Sequence, residues 1–389
     1  MTPAARVQAA IEVLDRILAG APAEQALIGW ARSSRYAGSG DRAAVRDHVF
    51  DALRRRRSCA ARSGLPESGR VLMIGALRDD LRETIFTGAT HAPAELNAGE
   101  KSALAAAPAT LPDPVRLNYP DWLDGALRTA LGDDLGAVMA AQADRAPVFL
   151  RANPQRGTES ALMAALDADG ISIRRRDEVP GAFEVLSGSN KIKQSRAYLE
   201  GLVELQDLSS QAAVAALPVT DGMEILDYCA GGGGKSLALA ARVTGHITAH
   251  DVAYERMADL PVRAERAGVR IRLARPTDLR RATQDMVLVD APCSGSGTWR
   301  RTPDAKWRLT AEKLADLCAL QARILEEALV FARPGGLLAY MTCSLLREEN
   351  EDQLAAFLAR YPGARLLDQR RFSPLTGGDG FFLGVMRVS

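Results

Sequence analysis

Apolar and polar positions follow three successive patterns along the chain. From Thr2 to Gly20, Val7, Ile11, Leu14, Ile17 and Leu18 recur at helical spacing with Glu12 and Asp15 on the other face, which predicts an amphipathic helix. The same periodicity predicts helices over Glu24–Tyr36 and Asp41–Arg57, with shorter ones at Val71–Leu77 and Pro93–Ala106. Arg54 to Arg57 suit either a solvated helix end or an RNA contact. Between Ala103 and Pro114, Pro108, Pro112 and Pro114 break the pattern, so a linker and a domain boundary near 110 follow. Two more helices, Pro120–Leu131 and Leu135–Ala143, are expected beyond it.

The pattern then shortens to strands. Val148–Ala152, Ile171–Arg175, Phe183–Leu186 and Leu202–Gln206, with a helix over Glu159–Asp167, make a small α/β module. From Met223 strand and helix alternate: Met223–Tyr228, Lys235–Val243, His246–His250, Ala253–Ala267, Val269–Leu273, Met286–Val289, Thr310–Ala332, Leu337–Met341 and Glu348–Arg360, closing on Phe381–Val388. That rhythm predicts a doubly wound, Rossmann-like α/β domain. The expected division is residues 1–110 helical, 111–145 a helical connector, 146–210 the small α/β module and 211–389 the doubly wound domain.

Composition changes this picture little. The 389 residues carry 49 basic and 48 acidic side chains, a net charge of +1, so any nucleic-acid signal must be local. Such signals exist at Arg151, Arg174 to Arg176, Lys191, Lys193 and Arg196, although solvated charge explains them equally. Between Val262 and Arg308, eleven Lys or Arg stand against five Asp or Glu, a net of +6. There Trp299-Arg-Arg301 and Lys306-Trp-Arg308 interleave aromatic and cationic groups, as either a base-stacking surface or local packing. Five cysteines without a secretory signal fit a reducing compartment, and no apolar run is long enough to cross a bilayer. The expectation is a cytoplasmic monomer with no bound metal.

The chemistry concentrates at three turns, each placed after a strand. Asp227-Tyr-Cys229-Ala230-Gly231-Gly232-Gly233-Gly234-Lys235 lets backbone approach a ligand at a helix amino end. It is not a Walker A loop, because Cys229 stands where the first glycine belongs. Asp251 ends the next strand, where a carboxylate meets ribose hydroxyls or simply caps a helix. Asp278, in Pro276-Thr-Asp278, is a candidate for a base contact. Asp290-Ala-Pro-Cys293-Ser294 and Thr342-Cys343-Ser344 would bring two thiols to one crevice. Cys59 and Cys318 read as small buried hydrophobes.

These three turns, in this order, resemble the signature motifs of the Nop/Sun family of S-adenosylmethionine-dependent RNA cytosine-5 methyltransferases. The likeness extends to Leu150-Arg-Ala-Asn153, Gln206 to Gln211, Arg301 to Trp307, Glu348-Glu-Asn350 and Gly377 to Phe382. Gly231 and Gly232 stand where the family usually carries Ala-Pro. The amino-terminal helices resemble the antitermination factor NusB, and the small module is expected to be RRM-like.

The resemblance implies a class I methyltransferase domain. Residues 229–235, Asp251, Asp278 and Asp290 would bind S-adenosylmethionine. It assigns Cys343 the attack on carbon 6 of cytosine and Cys293 the release step. Asp290 would hold ring nitrogen N3, with Lys235 supporting it electrostatically. A thiolate suits the attack because sulfur is strongly nucleophilic and its pKa is tunable. The implied partner is RNA with a flipped or single-stranded cytosine, 16S rRNA first and transfer RNA second. A non-catalytic ribosome-assembly factor is the rival from another class.

Overall fold

The computed structural model describes residues 1–108 and 110–389; Ala109, within the expected linker, lies outside the described residues. The chain divides into two units, Met1–Arg145 with Trp299–Leu309, and Ala146–Thr298 with Thr310–Ser389. The expected 111–145 connector therefore belongs with the helices. An eleven-residue stretch from within the second unit's sequence joins them too.

Among the described residues of the first unit, every regular element is a helix. Pro3–Leu18, Ala23–Ser33 and Ser39–Arg54 pack Val7, Leu14, Leu27, Trp30, Val45, Val49 and Leu53 into one core with Leu72 and Met73 of Gly69–Ala76. The expected helix Asp41–Arg57 is broken at Arg55, and Arg56–Ser63 is a separate helix. The reason is distant in sequence. Arg54 is buried and its Nε donates to the Arg300 carbonyl at 2.7 Å, while Trp307 Nε1 donates to Leu53 O at 2.7 Å and Lys306 Nζ to Arg54 O at 3.2 Å. The carbonyls at the helix end are thus capped by side chains from the 299–309 stretch. Arg56 pairs with Glu67 and Arg57 with Asp121, so the arginine run is not a solvated end. Trp299 is fully buried, which decides for packing rather than base stacking there.

The second unit holds two sheets. β1 (Val148–Ala152), β2 (Ser172–Arg176), β3 (Ala182–Ser187) and β4 (Val203–Leu205) form an antiparallel sheet in the order β2-β3-β1-β4. Helices Glu159–Ala168 and Arg196–Leu199 complete a βαββαβ module. Most of its basic residues are matched by carboxylates, while Lys193 is exposed. Arg174 and Arg176 pair with Glu184, Arg175 with Glu159 and Arg196 with Glu200, Lys191 donates to the Asp169 carbonyl, and Arg151 is half-buried.

β5 (Glu224–Asp227), β6 (His246–His250), β7 (Ile271–Ala274), β8 (Gln284–Asp290), β9 (Ala332–Thr342), β10 (Arg365–Phe372) and β11 (Phe381–Arg387) form the large sheet, ordered β10-β11-β9-β8-β5-β6-β7. Strands β5 to β9 are parallel and β11 is antiparallel to both neighbours. The chain runs outward from β5 to β7 and resumes at β8 on the other side of β5. Ligands bind at such a reversal, beyond the carboxyl ends of the strands. The expected helix Ala253–Ala267 is interrupted: a 3-10 turn spans Tyr254–Met257, and the helix proper begins at Leu260 with Pro261 in its first turn, where no N–H is needed.

Candidate active site

The parallel register brings the three turns together. Asp227 ends β5, Asp290 ends β8 beside Met341 of β9, and Cys343 follows two residues beyond Met341. Cys293 Sγ and Cys343 Sγ lie 3.4 Å apart. Lys235, in the first turn of the helix Gly234–Arg242, reaches across to Asp290 Oδ2 at 2.6 Å and lies 5.0 Å from the centre of the Phe381 ring. Asp227, Lys235, Asp290, Cys293, Cys343 and Phe381 line one cavity of about 900 Å³.

Charge is distributed unevenly in it. Burial pulls the Lys235 ammonium down, but the Asp290 charge and hydrogen bond outweigh it and hold its pKa above the ordinary 10.5. The Cys293 thiol is pushed well above 9.0, first by its hydrogen bond with Cys343, then by burial and by the charges of Cys343 and Glu349. Cys229 is likewise pushed up, by burial and by Asp227, Asp290 and Asp251, so it serves as a neutral thiol wall. Burial raises Asp227 to about 7; its Oδ2 accepts from Ser236 at 2.6 Å and its buried Oδ1 has no protein partner.

The glycine turn is held from behind. Gly231 has φ +51° and donates its N–H to Asp251 Oδ2 at 2.8 Å, while Arg263 donates to the Gly232 carbonyl. Gly233, at φ +75°, has no room for a side chain: a Cβ would lie 2.3 Å from Leu260 Cδ1. Arg151, read from sequence as part of a basic surface, instead donates to the Gly234 carbonyl at 3.2 Å from beneath the loop.

Of the expected cofactor residues, Cys229 to Gly232, Gly234, Lys235, Asp251 and Asp290 line the cavity, and Gly233 supports it as the helix cap. Asp278 does not. Its exposed carboxylate accepts from the Arg275 N–H at 2.9 Å and caps its own turn, and Pro276 lines the cavity in its place. Sequence reasoning missed the roles of Asp227, Tyr228, His250 and Phe381 in the lining. Cys59 is buried, and Cys318 is half-buried with its thiol against the Glu348 carbonyl at 3.5 Å.

Residues 214–382 match the family model of the 16S rRNA methyltransferase RsmB/F, and residues 119–190 that of the ferredoxin-like domain of RsmF/B-like methyltransferases. The ribosomal RNA small subunit methyltransferase B of Xylella fastidiosa is 36% identical over 283 residues, which cover 68% of this chain and 67% of that one. The chain belongs to the RsmB/F methyltransferase family. The match spans 65–67% of the length of such relatives. Among solved structures, the protein PH0851 superposes over 99% of both chains with a TM-score of 0.75 at 23% identity. A methyltransferase homologue from Pyrococcus horikoshii covers 71% of this chain and 98% of its own, with a TM-score of 0.62 at 26% identity.

RsmB/F methyltransferases take their methyl group from S-adenosylmethionine, and the cavity suits that donor. S-adenosylmethionine carries a sulfonium and an ammonium, and the lining supplies Asp227, Asp251, Asp290 and Glu327. The buried Asp227 Oδ1, which has no protein partner, is an acceptor that would be available to a cationic ligand there. Ile324 and Pro276 supply apolar wall for a base. Asp251 Oδ1 accepts from Ala253 N–H at 2.9 Å, so this carboxylate both shapes the loop and faces the cavity.

Proposed function

We propose that this protein methylates carbon 5 of a cytosine in 16S rRNA, in the cytoplasm, through a transient bond between Cys343 and carbon 6. The observation that carries the reading is the pair of thiols 3.4 Å apart beside the Lys235–Asp290 ion pair, in a cavity suited to the methyl donor. Bound S-adenosylmethionine supplies an electrophilic methyl group. Every other requirement falls to the chain. Cys343, as the thiolate, adds to carbon 6, and the displaced carbon 5–carbon 6 π pair, with protonation at N3, leaves an enamine whose carbon 5 is nucleophilic. Asp290 holds N3, gives it a proton as the adduct forms and takes it back on release, while the Lys235 ammonium, donating to Asp290 Oδ2 at 2.6 Å, fixes the orientation of that carboxyl and stabilises its charge once the proton has gone. After methyl transfer carbon 5 carries one hydrogen too many. Cys293 removes it, carbon 5 and carbon 6 regain their double bond, and the Cys343 thiolate leaves. We read the helical unit as a NusB-type RNA-recognition appendage and the βαββαβ module as its RRM-like companion.

The test is incubation with methyl-labelled donor and RNA, comparing wild type with Cys343→Ala and Cys293→Ala. Cys343→Ala abolishes transfer, and Cys293→Ala accumulates a protein–RNA complex that survives denaturant. Full activity in Cys343→Ala refutes the mechanism. Label on transfer RNA alone reassigns the substrate, and no label on any RNA from wild type favours an assembly factor.

A further inference from the structure

One buried carboxylate ties the two thiol loops together and is used by no step above. Glu349 has no exposed surface and sits at the end of the 3-10 turn Arg347–Glu349. Its Oε1 accepts from the Ser294 N–H at 2.7 Å and from Gln321 Nε2 at 3.0 Å. Its Oε2 accepts from the Ser294 hydroxyl at 2.5 Å and from the Ser344 hydroxyl. Ser294 directly follows Cys293, and Ser344 directly follows Cys343. Gln321 Nε2 also donates to the carbonyl of Pro292, on the other side of Cys293, at 3.0 Å. The turn itself is anchored by the buried Tyr340 hydroxyl, which donates to the Glu349 carbonyl at 2.7 Å.

All four donors to the carboxylate are neutral, so the group offsets no buried cation. Burying such a carboxylate is costly unless its acceptor sites are filled, as they are here. Helix capping does not account for it, because its donors come from the two cysteine loops and the Ala311–Leu329 helix. Beyond the pairing of Asp290 with Met341 the two backbones meet where the Ala291 N–H donates to the Met341 carbonyl and the Gly297 N–H to the Cys343 carbonyl, each at 2.9 Å, and Glu349 adds a tie at the serines directly beside the two sulfurs.

We propose that Glu349 is a positioning residue that locks the Cys293 and Cys343 loops to each other, so that one sulfur meets carbon 6 while the other reaches the hydrogen on carbon 5. Those two atoms are bonded neighbours, and a displacement of one loop by about 1 Å can cost on the order of a hundredfold in rate. This role rests on the reaction proposed above only where turnover is concerned; the locking of the two thiols is testable without any substrate.

The experiment compares wild type, Glu349→Gln and Glu349→Ala in two measurements. In the first, diamide is added to the full-length protein without RNA or methyl donor. It takes two electrons and two protons from the thiol pair, and peptide mass spectrometry follows formation of the Cys293–Cys343 disulfide. In the second, kcat and KM for RNA and the dissociation constant of the methyl donor are measured. Glu349→Ala removes the acceptor that all four donors share and is expected to form the disulfide, and to turn over, at least about tenfold more slowly with donor affinity within about twofold of wild type. Glu349→Gln keeps one acceptor oxygen, and the serine hydroxyls can reverse to meet its amide, so it falls between the two. Wild-type rates in both measurements for a folded Glu349→Ala overturn the proposal, as does a fall in donor affinity that matches the fall in kcat. If Glu349→Ala does not fold, wild-type disulfide formation in Glu349→Gln overturns it instead. Failure of wild type to methylate any RNA, with slowed disulfide formation in the variants, refutes the reaction and leaves the lock standing.

Discussion

Lys306 offers a test of how the 299–309 stretch is held in the helical unit. Its side chain is buried beside Trp299 and Trp307, and its Nζ donates to the Arg54 carbonyl at 3.2 Å. Burial, with a smaller push from the Arg54 guanidinium, brings its pKa down from 10.5 to about 7. The unfolded chain therefore binds a proton between pH 7 and 10.5 that the native chain does not, and stability must rise with pH across that window. Linkage puts the contribution at roughly 4 kcal/mol against folding at pH 7 and roughly 2 kcal/mol less at pH 9. Lys306→Met keeps the volume and removes the titration. All four tryptophans, Trp30, Trp122, Trp299 and Trp307, lie in the helical unit, so urea unfolding followed by tryptophan fluorescence reports that unit selectively. From pH 7 to pH 9 wild type should gain about 2 kcal/mol more than Lys306→Met, with other titrating groups cancelling in the difference. Parallel stability curves for the two proteins would refute the buried, neutral lysine.

Gly233→Ala should lower the melting temperature and weaken methyl-donor binding in calorimetry, because φ +75° and a Cβ 2.3 Å from Leu260 together cost about 1–3 kcal/mol; unchanged binding would show that the loop is not held by this cap. Asp227, raised to about 7 by burial, must lose its proton to face a cationic donor, so donor affinity should rise with pH through about 7 and flatten in Asp227→Asn. An identical pH profile in the two proteins would remove Asp227 from the donor site.

Much of the architecture was legible because local pattern and tertiary demand agree. His246–His250 and Val148–Ala152 form strands with the expected bounds, since each is a short β-prone run that a sheet then buries. Strand β10 was invisible: Arg365–Phe372 is largely exposed and charged, the composition of a protected edge, and carries no apolar alternation. The break at Arg55 was equally hidden, because the Lys306 and Trp307 side chains that cap the Arg54 and Leu53 carbonyls lie 252 and 254 residues away from them. Within the site, the thiols and Lys235–Asp290 were readable because each follows a strand in a polar turn. Asp227 and Glu349 were not, since a carboxylate's burial and its partners are set only by the fold.

The proposed reaction asks Cys293 to be a poor base before the attack and a competent one after it, and the thiol pair contains a means of doing so. The foremost cause of the raised Cys293 pKa is its hydrogen bond with Cys343, and the charge of Cys343 adds to it. Once Cys343 sulfur is bonded to carbon 6 it is neutral and no longer available to Cys293 in the same way. Burial and Glu349 still oppose ionisation, but the Cys343 contributions are gone, so Cys293 becomes easier to deprotonate only after the adduct forms. Cys343→Ala mimics the loss of that partner without RNA. Iodoacetamide reacts with the thiolate, so the pH at which Cys293 alkylation reaches half its maximal rate, followed at that residue by mass spectrometry, should be lower in Cys343→Ala than in wild type. The midpoint is the informative quantity, because removing a neighbouring side chain also opens access and raises rates at every pH. A midpoint unmoved by the substitution would mean that burial alone governs Cys293, and the ordering of attack before release would then need another cause.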